Sequence, residues 1–269
     1  MYGAVFGDII GSTYELHNVK TQDFELFPSG SQFTDDTVLS IAVAEKILNE
    51  QKTYINDRKS YALWYKQYYR RYPYAGFGQL FSSWAKSEDL FIQRSFGNGG
   101  AMRVSAIGYA YDSIEEIKKQ VKNSCYYTHH HHEAIKGAKA VAIAVFLARK
   151  ECDQDEIRKF IIKNFRYKMN LTLDEMRNTY IFDSRTSYSV PPALEAFLES
   201  NSYEDAIRKA ISIGGDSDTI ACMTGGIAHA YYKKIPKEIY NRGMMYLDSG
   251  IKNVLREFSE KYDIPQLPK

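Results

Sequence analysis

At 269 residues the chain is long enough for one large domain or two small ones, and its 44% hydrophobic and 25% charged residues are the balance of a globular protein in water. A net charge of +2 gives no global field that would favour nucleic acid or a membrane surface. Three scattered cysteines, Cys125, Cys152 and Cys222, have no CxxC spacing and read as reduced thiols in a reducing compartment.

The start, Met1 to Asp8, has no basic region and meets an acid early, so a signal peptide is not expected. The longest apolar run, Ala140 to Ala148, is too short to span a bilayer. A cytoplasmic protein with no membrane partner is the expectation. In Gly7-Asp8-Ile9-Ile10-Gly11-Ser12-Thr13-Tyr14-Glu15 glycines flank an acid and a glutamate follows. By itself this reads as a helix with its C-terminal glycine and a surface Glu.

Thr34-Asp35-Asp36-Thr37 then precedes a helix predicted over Thr37 to Glu50. One face carries Val38, Ile41, Ala42, Glu45 and Leu48, yet Leu39, Val43 and Ala44 are apolar too. A helix apolar nearly all round belongs at the centre of the molecule. Tyr54 to Tyr74, with Trp64, holds many of the 22 tyrosines. It reads as an amphipathic helix that packs rings inward and leaves hydroxyls at the surface, in preference to an aromatic ligand box.

Phe96-Gly97-Asn98-Gly99-Gly100-Ala101-Met102-Arg103 has three glycines in four residues, so its backbone N–H groups could cradle a phosphate, with Phe96 offering a ring for stacking. It lacks the GxxxxGK[ST] of a P-loop and the full GxGxxG after a strand. Alone it reads more readily as a bare turn. Ser113-Ile114-Glu115-Glu116 is a capping box before a charged helix. In Thr128-His129-His130-His131-His132-Glu133 consecutive histidines point different ways, which argues against a four-histidine zinc site. One histidine is expected to be functional and the rest solvated.

Ala134 to Arg149 is again buried in character, with alanines that allow close helix contact. Asp155 to Phe165 and Tyr203 to Ile213 show apolar residues at helical spacing. Gly214-Gly215-Asp216-Ser217-Asp218-Thr219 precedes a helix predicted over Thr219 to Tyr232, apolar all round, and Pro236 starts a further helix as its first residue. No stretch alternates with period two, and no linker or repeat interrupts the chain. The expectation is one all-α domain spanning 1–269, with roughly ten or more helices.

The two acidic clusters carry the chemistry. Singly, each reads as an N-cap, since Asp and Thr are good caps. One cap needs one residue, however, and each cluster offers two acids and a threonine before a buried helix. As a pair they point to a metal site closed by the two ends of the fold. An oxygen-only donor set suits Mg²⁺, Mn²⁺ or Ca²⁺ over Zn²⁺.

Taken together and in this order, these elements resemble the ADP-ribosylglycohydrolase family, from Gly3 to about Tyr232. The resemblance rests on Gly7-Asp8 with Glu15, Phe33 to Thr37, Gly97 to Arg103, Thr128-His129 and Gly214 to Thr219. It implies an all-α orthogonal multi-helix bundle with a two-metal centre of magnesium, or manganese in its place. By motif, Thr34, Asp35 and Asp36 would bind metal from one side and Asp216, Asp218 and Thr219 from the other. Glu15 would sit over the metals beside the scissile bond, with Asp36 as the second catalytic carboxylate and Asp8 in support. Gly97, Asn98, Gly99, Gly100 and Met102 would cradle pyrophosphate and ribose, with Phe96 near the adenine and His129 on the ligand.

The implied activity is metal-dependent hydrolysis of the glycosidic bond between ADP-ribose and an acceptor, a protein side chain or small molecule. Arginine, serine, an acetylated ADP-ribose, a nucleic-acid end and a guanidine all stay open as the acceptor, and monomer is the default. The alternatives are an ADP-ribose-binding or structural protein without turnover and a two-metal nucleotide phosphoesterase. Two segments depart from the family pattern. Many bacterial relatives carry Thr-His-Asn-His-Pro-Glu where this chain has Thr128 to Glu133, and a Cys-Gln-Gly-Ser-Val-Pro segment corresponds to the region Ser184 to Pro191. Tyr188 there adds a ring expected on the distal-ribose and acceptor side.

Overall fold

The computed structural model describes residues 1–50 and 56–265. Fourteen α-helices run through them: α1 Tyr2–Leu16, α2 Asp35–Leu48, α3 Asp57–Arg71, α4 Gln79–Lys86, α5 Ser105–Ala110, α6 Ile114–Cys125, α7 His132–Arg149, α8 Gln154–Phe165, α9 Leu173–Arg177, α10 Thr186–Leu198, α11 Tyr203–Ser212, α12 Ser217–Tyr232, α13 Lys237–Met245 and α14 Ser249–Lys261. No strand forms among the described residues. Two isolated bridges, Arg94 with His129 and Gly97 with Arg185, are the nearest approach to one. The all-α expectation holds.

Each helix read as apolar all round lies at the centre. In α12 every residue from Ser217 to Ala230 is buried, and α2 and α7 bury Val38 to Ala44 and Val141 to Phe146. α12 packs on α1, α7, α10 and α11, and so forms the axis of the molecule.

The α1–α12 contact depends on glycine. Gly3, Gly7 and Gly11 recur at intervals of four, which puts them on one face of a helix. A Cβ at Gly3 would run into the Gly225 carbonyl oxygen, one at Gly7 into the Ala221 carbonyl oxygen, and one at Gly11 would lie 2.5 Å from Asp218 Cα. The order of these contacts makes the helices antiparallel, with backbones touching. Gly11 is therefore not the C-terminal glycine that α1 was expected to have. The helix continues to Leu16 and carries Glu15 in its last turn.

Several helix starts differ in detail from their sequence patterns. Asp35 and Asp36 lie inside the first turn of α2, and Ser217 and Asp218 inside that of α12, so the helices begin within the acidic clusters. Pro236 is the N-cap of α13 and not its first residue. Ser113 accepts from the Glu116 N–H at 3.2 Å, but the Glu116 side chain turns to Lys119 and Gln120, so only half the capping box forms.

The tyrosine-rich segment is α3, and Tyr54 lies outside the described residues. The rings of Tyr61, Tyr65, Tyr68 and Tyr69 point inward as expected, whereas Tyr74, beyond the helix, is exposed at the rim of a cavity, and three of the buried hydroxyls meet partners instead of solvent. Tyr65 Oη pairs with Ser124 Oγ at 2.6 Å, Tyr61 donates to Gln120 Oε1 at 3.2 Å, and Tyr68 donates to the Glu45 carboxylate. Burying a ring whole requires a partner for its hydroxyl, and α2 and α6 supply them.

Candidate active site

The N-termini of α2 and α12 meet beside the C-terminal end of α1, and together they bring five aspartates and a glutamate to one place. Asp8, Asp36 and Asp218 each offer an oxygen within 4.8 Å of the others, and so do Glu15, Asp216 and Asp218. Asp218 belongs to both triads. Asp8, Asp36, Asp216 and Asp218 are buried, while Glu15 and Asp35 are half-buried.

Asp8 holds α2 in place. Its Oδ2 accepts from the N–H groups of Thr34 at 2.9 Å and Thr37 at 3.1 Å, and its Oδ1 accepts from Thr34 Oγ1 at 2.6 Å. Two backbone donors of a helix N-terminus thus end on a carboxylate from another helix, which suits the helix dipole. Across the site, Thr219 Oγ1 donates to Asp36 Oδ2 at 3.1 Å and Asn98 Nδ2 to Asp216 Oδ2 at 2.7 Å. The Gly214-Gly215 turn needs φ of +70° and +80°, which glycine adopts without strain. Asn18 clamps it from both sides, donating to the Gly215 carbonyl at 3.1 Å and accepting from its N–H at 2.5 Å.

Burial pushes the carboxyl groups of Asp8, Glu15, Asp36, Asp216 and Asp218 above the ordinary carboxylate range, and Asp35 is pushed up to about 8. For Asp35, Asp36, Asp218 and Glu15 mutual repulsion adds to desolvation. Among the described residues no lysine or arginine forms a salt bridge to these carboxylates; Lys20, the cation beside the Gly214 turn, donates to backbone carbonyls instead. Asp36 Oδ1 is buried without a hydrogen-bond partner among the described residues. An oxygen-only donor set, a surplus of buried negative charge and an orphaned carboxylate oxygen fit a hard divalent cation.

Glu15, Asp35, Asp36, Asp216 and Asp218 line the floor of a cavity of about 600 Å³, within the range of small-ligand sites, and Asp8 lies outside its lining. Gly97, Asn98, Gly99, Met102, Thr128 and His129 line one wall, and Leu39, Ala75, Gly76 and Phe81 line another. A second cleft of about 390 Å³ shares Leu80, Gln93, Ser95, Gly97 and Ser184 with the first and ends at Phe96. One groove therefore runs from the acids, past the glycine-rich turn, to an exposed aromatic ring. Its wall is held by backbone pairing on both flanks: His130 N to Gln93 O at 2.9 Å on one, and Asn98 N to Ser184 O at 2.8 Å on the other.

The sequence model of the ADP-ribosylglycohydrolase family matches residues 1–263. The chain belongs to the ADP-ribosylglycohydrolase family. It is 28% identical to human ADP-ribosylhydrolase ARH3 over 86% of this chain and 83% of that protein. It is 23% identical to the ADP-ribosylarginine hydrolase Tri1 of Pseudomonas putida (strain GB-1), over 86% of this chain and 69% of the relative. A solved structure described as an ADP-ribosylglycohydrolase-related protein complex superposes with a TM-score of 0.68 at 20% identity, covering 98% of this chain and 97% of its own, and so shares the fold.

Within this family fold, most residues singled out from sequence meet at the cavity: Glu15, Thr34, Asp35, Asp36, Gly97, Asn98, Gly99, Met102, His129, Asp216, Asp218 and Thr219. Asp35 faces the cavity but belongs to neither triad. Three others lie elsewhere. Phe96 lines the adjoining cleft, its ring 5.8 Å from that of His131. Gly100 is behind the wall, where a Cβ would touch His129 and Cys125. Tyr188 stacks on Tyr180 at 5.4 Å, and Tyr180 packs against Gly215. Tyr188 thus supports the turn that carries Asp216 and does not line the cavity.

The histidine run also divides differently from expectation. His129 is in the wall and His132 is exposed, but His130 packs on Tyr126 and His131 caps α7, accepting from Glu133 N at 3.3 Å. Sequence reasoning did not find the residues that brace the turn. Asn18 and Lys20 reach it from α1's end, and Lys20 Nζ donates to the Tyr180 and Ile213 carbonyls at 2.6 and 2.5 Å. Nothing local in the sequence marks such long-range clamps.

Proposed function

We propose that this protein is a metal-dependent ADP-ribosylhydrolase, cleaving the glycosidic bond between ADP-ribose and an acceptor and releasing ADP-ribose. The observation that supports this best is the continuity of the groove. Paired carboxylate triads lie at one end, a glycine-rich turn in the middle and an aromatic ring at the other. ADP-ribose has the same order of chemistry, with a ribose diol, a pyrophosphate and an adenine. The names of the curated relatives support the same reading.

Two magnesium ions, or manganese in their place, would be held by Thr34, Asp35, Asp36, Asp216, Asp218 and Thr219. When bound, such cations supply Lewis acidity toward the hydroxyls of the distal ribose or a water. In the turn from Gly97 to Gly100 the N–H groups of Gly97 and Asn98 are taken by Ser95 Oγ and the Ser184 carbonyl, so the backbone donor it offers the pyrophosphate is that of Gly99. Asn98, fixed to Asp216 and to Ser189 Oγ at 2.9 Å, keeps that turn in register with the acids. Phe96, half-exposed at the end of the cleft, covers one face of the base. Cleavage passes through oxocarbenium character at the anomeric carbon, and negative charge beneath the ribose stabilises it. Glu15 is half-buried at the cavity edge, where a leaving atom and a solvent proton can both reach it. It donates the proton to the leaving group or takes one from water.

The test is a panel of ADP-ribosylated acceptors, including arginine, serine and acetylated linkages, incubated with Mg²⁺ or Mn²⁺ and assayed for free ADP-ribose. Release from at least one linkage, lost in Asp35→Ala and Asp218→Ala, is expected. Tight ADP-ribose binding with no release from any linkage would leave a binding protein in its place.

A further inference from the structure

Behind the cavity wall lies a buried cation with no carboxylate partner among the described residues. Arg103, in the segment that carries the glycine-rich turn, is wholly buried, and its guanidinium lies 4.1 Å from the centre of the Tyr65 ring. Its Nη2 donates to the Ser124 carbonyl at 3.0 Å and to Thr128 Oγ1 at 2.7 Å. Thr128 Oγ1 is also 2.9 Å from His129 Nδ1.

The direction of this chain follows from its donors. A guanidinium has no acceptor, so the Arg103 bond uses a lone pair of the Thr128 hydroxyl. That hydroxyl has one hydrogen, and His129 Nδ1 is the acceptor it meets among the described residues. The hydroxyl's second lone pair could accept from an Nδ1–H, but that would leave its own hydrogen without an acceptor among the described residues, so the arrangement favours an unprotonated Nδ1 and a hydrogen on Nε2. Burial, and then the charge of Arg103, hold the His129 ring well below the usual range for protonation, consistent with a neutral imidazole. Nε2 faces the turn: a Cβ on Gly99 would lie 3.1 Å from it, and one on Gly97 3.9 Å.

We propose that Arg103 and Thr128 are positioning residues that lock His129 in the Nε2–H tautomer, so that it donates a hydrogen bond to an oxygen of the ADP-ribosyl ligand at the Gly97–Gly99 turn. The inference rests on the hydrolase reading for the identity of the ligand. A protonated imidazole would donate from both nitrogens, and the opposite tautomer would present a lone pair that repels a phosphate oxygen. The chain of bonds removes both states before the ligand arrives, so binding need not supply that ordering.

The experiment measures two properties of the full-length protein at neutral pH. Ring ¹⁵N shifts of histidine-labelled protein, with His129→Gln for assignment, report the tautomer without ligand. Calorimetry reports ADP-ribose affinity. The wild type should show the Nε2–H form. Thr128→Val, which keeps the side-chain volume, should release the tautomer and weaken ADP-ribose by about tenfold, the effect of misdirecting one hydrogen bond to a charged or polar ligand. Thr128→Ser should restore both, which separates hydrogen-bond direction from packing. Arg103→Met should resemble Thr128→Val in the ring shifts. An Nδ1–H ring in the wild type, or wild-type ADP-ribose affinity in Thr128→Val, overturns the proposal. Failure of the wild type to bind ADP-ribose would sink the hydrolase reading, while the ligand-free ring shifts would still decide the tautomer.

Discussion

Asp218 is the residue on which both carboxylate triads converge, and it is buried among its own kind. Substitution to Asn keeps the shape and removes the charge. Turnover in Asp218→Asn should fall by more than about a hundredfold, because even partners that only orient metal ligands are worth 10–100-fold. The same change should raise the melting temperature of chelated protein, since the charged form is held at a cost there. Equal destabilisation with and without metal would instead make Asp218 a structural hydrogen-bond acceptor. The acids were legible because each cluster sits at a helix start with one acid too many for capping. The role of Tyr188 was not, because a ring's partner depends on which helix lies opposite. Here that partner is Tyr180, eight positions earlier and in another segment.

At the scale of elements, the α1–α12 pair sets the distance between Glu15 and Asp218. In an exposed helix Gly→Ala is favourable by about 1 kcal/mol. At Gly7 the added methyl would enter the space of the Ala221 carbonyl oxygen, and backbone cannot turn aside as a side chain can. Overpacking of this kind costs about 1–3 kcal/mol or more, so Gly7→Ala should lose stability overall, by roughly 1–2 kcal/mol. Denaturant titration checks this, and an unchanged or raised midpoint would mean the helices can separate freely. The spacing of Gly3, Gly7 and Gly11 is visible in the sequence, but a lone glycine looks the same whether it ends a helix or admits a neighbour. The tyrosine hydroxyls of α3 pose the same difficulty. Amphipathic spacing shows which way a ring points, and only α6 and α2 opposite show that its hydroxyl has a partner.

For the whole molecule, the acidic floor links folding to protons and metal. A carboxyl group whose folded pKa is raised binds more protons folded than unfolded, so stability falls as pH rises through the interval between the two values. For Asp35 that interval runs from 3.8 to about 8. Chelated protein should therefore lose melting temperature steadily across it. A divalent cation requires the deprotonated ligands, so its stabilising effect should grow over the same interval. At about a hundred times its dissociation constant it adds about 2.7 kcal/mol, or roughly 5–10 °C for a chain of this size. A difference in melting temperature, with and without Mg²⁺ or Mn²⁺, that does not change with pH would count against metal binding by these carboxylates. Helical periodicity, the two acid clusters and the glycine-rich turn are properties of short segments, so fold class and most residues of the candidate site were legible in the sequence alone. Asp8 with Thr34 and Thr37, Asn18 on Gly215, and Arg103 through Thr128 to His129 join segments up to 197 positions apart. Tertiary structure alone decided these contacts, because a hydrogen bond depends on distance and direction in space, and local sequence carries no record of either.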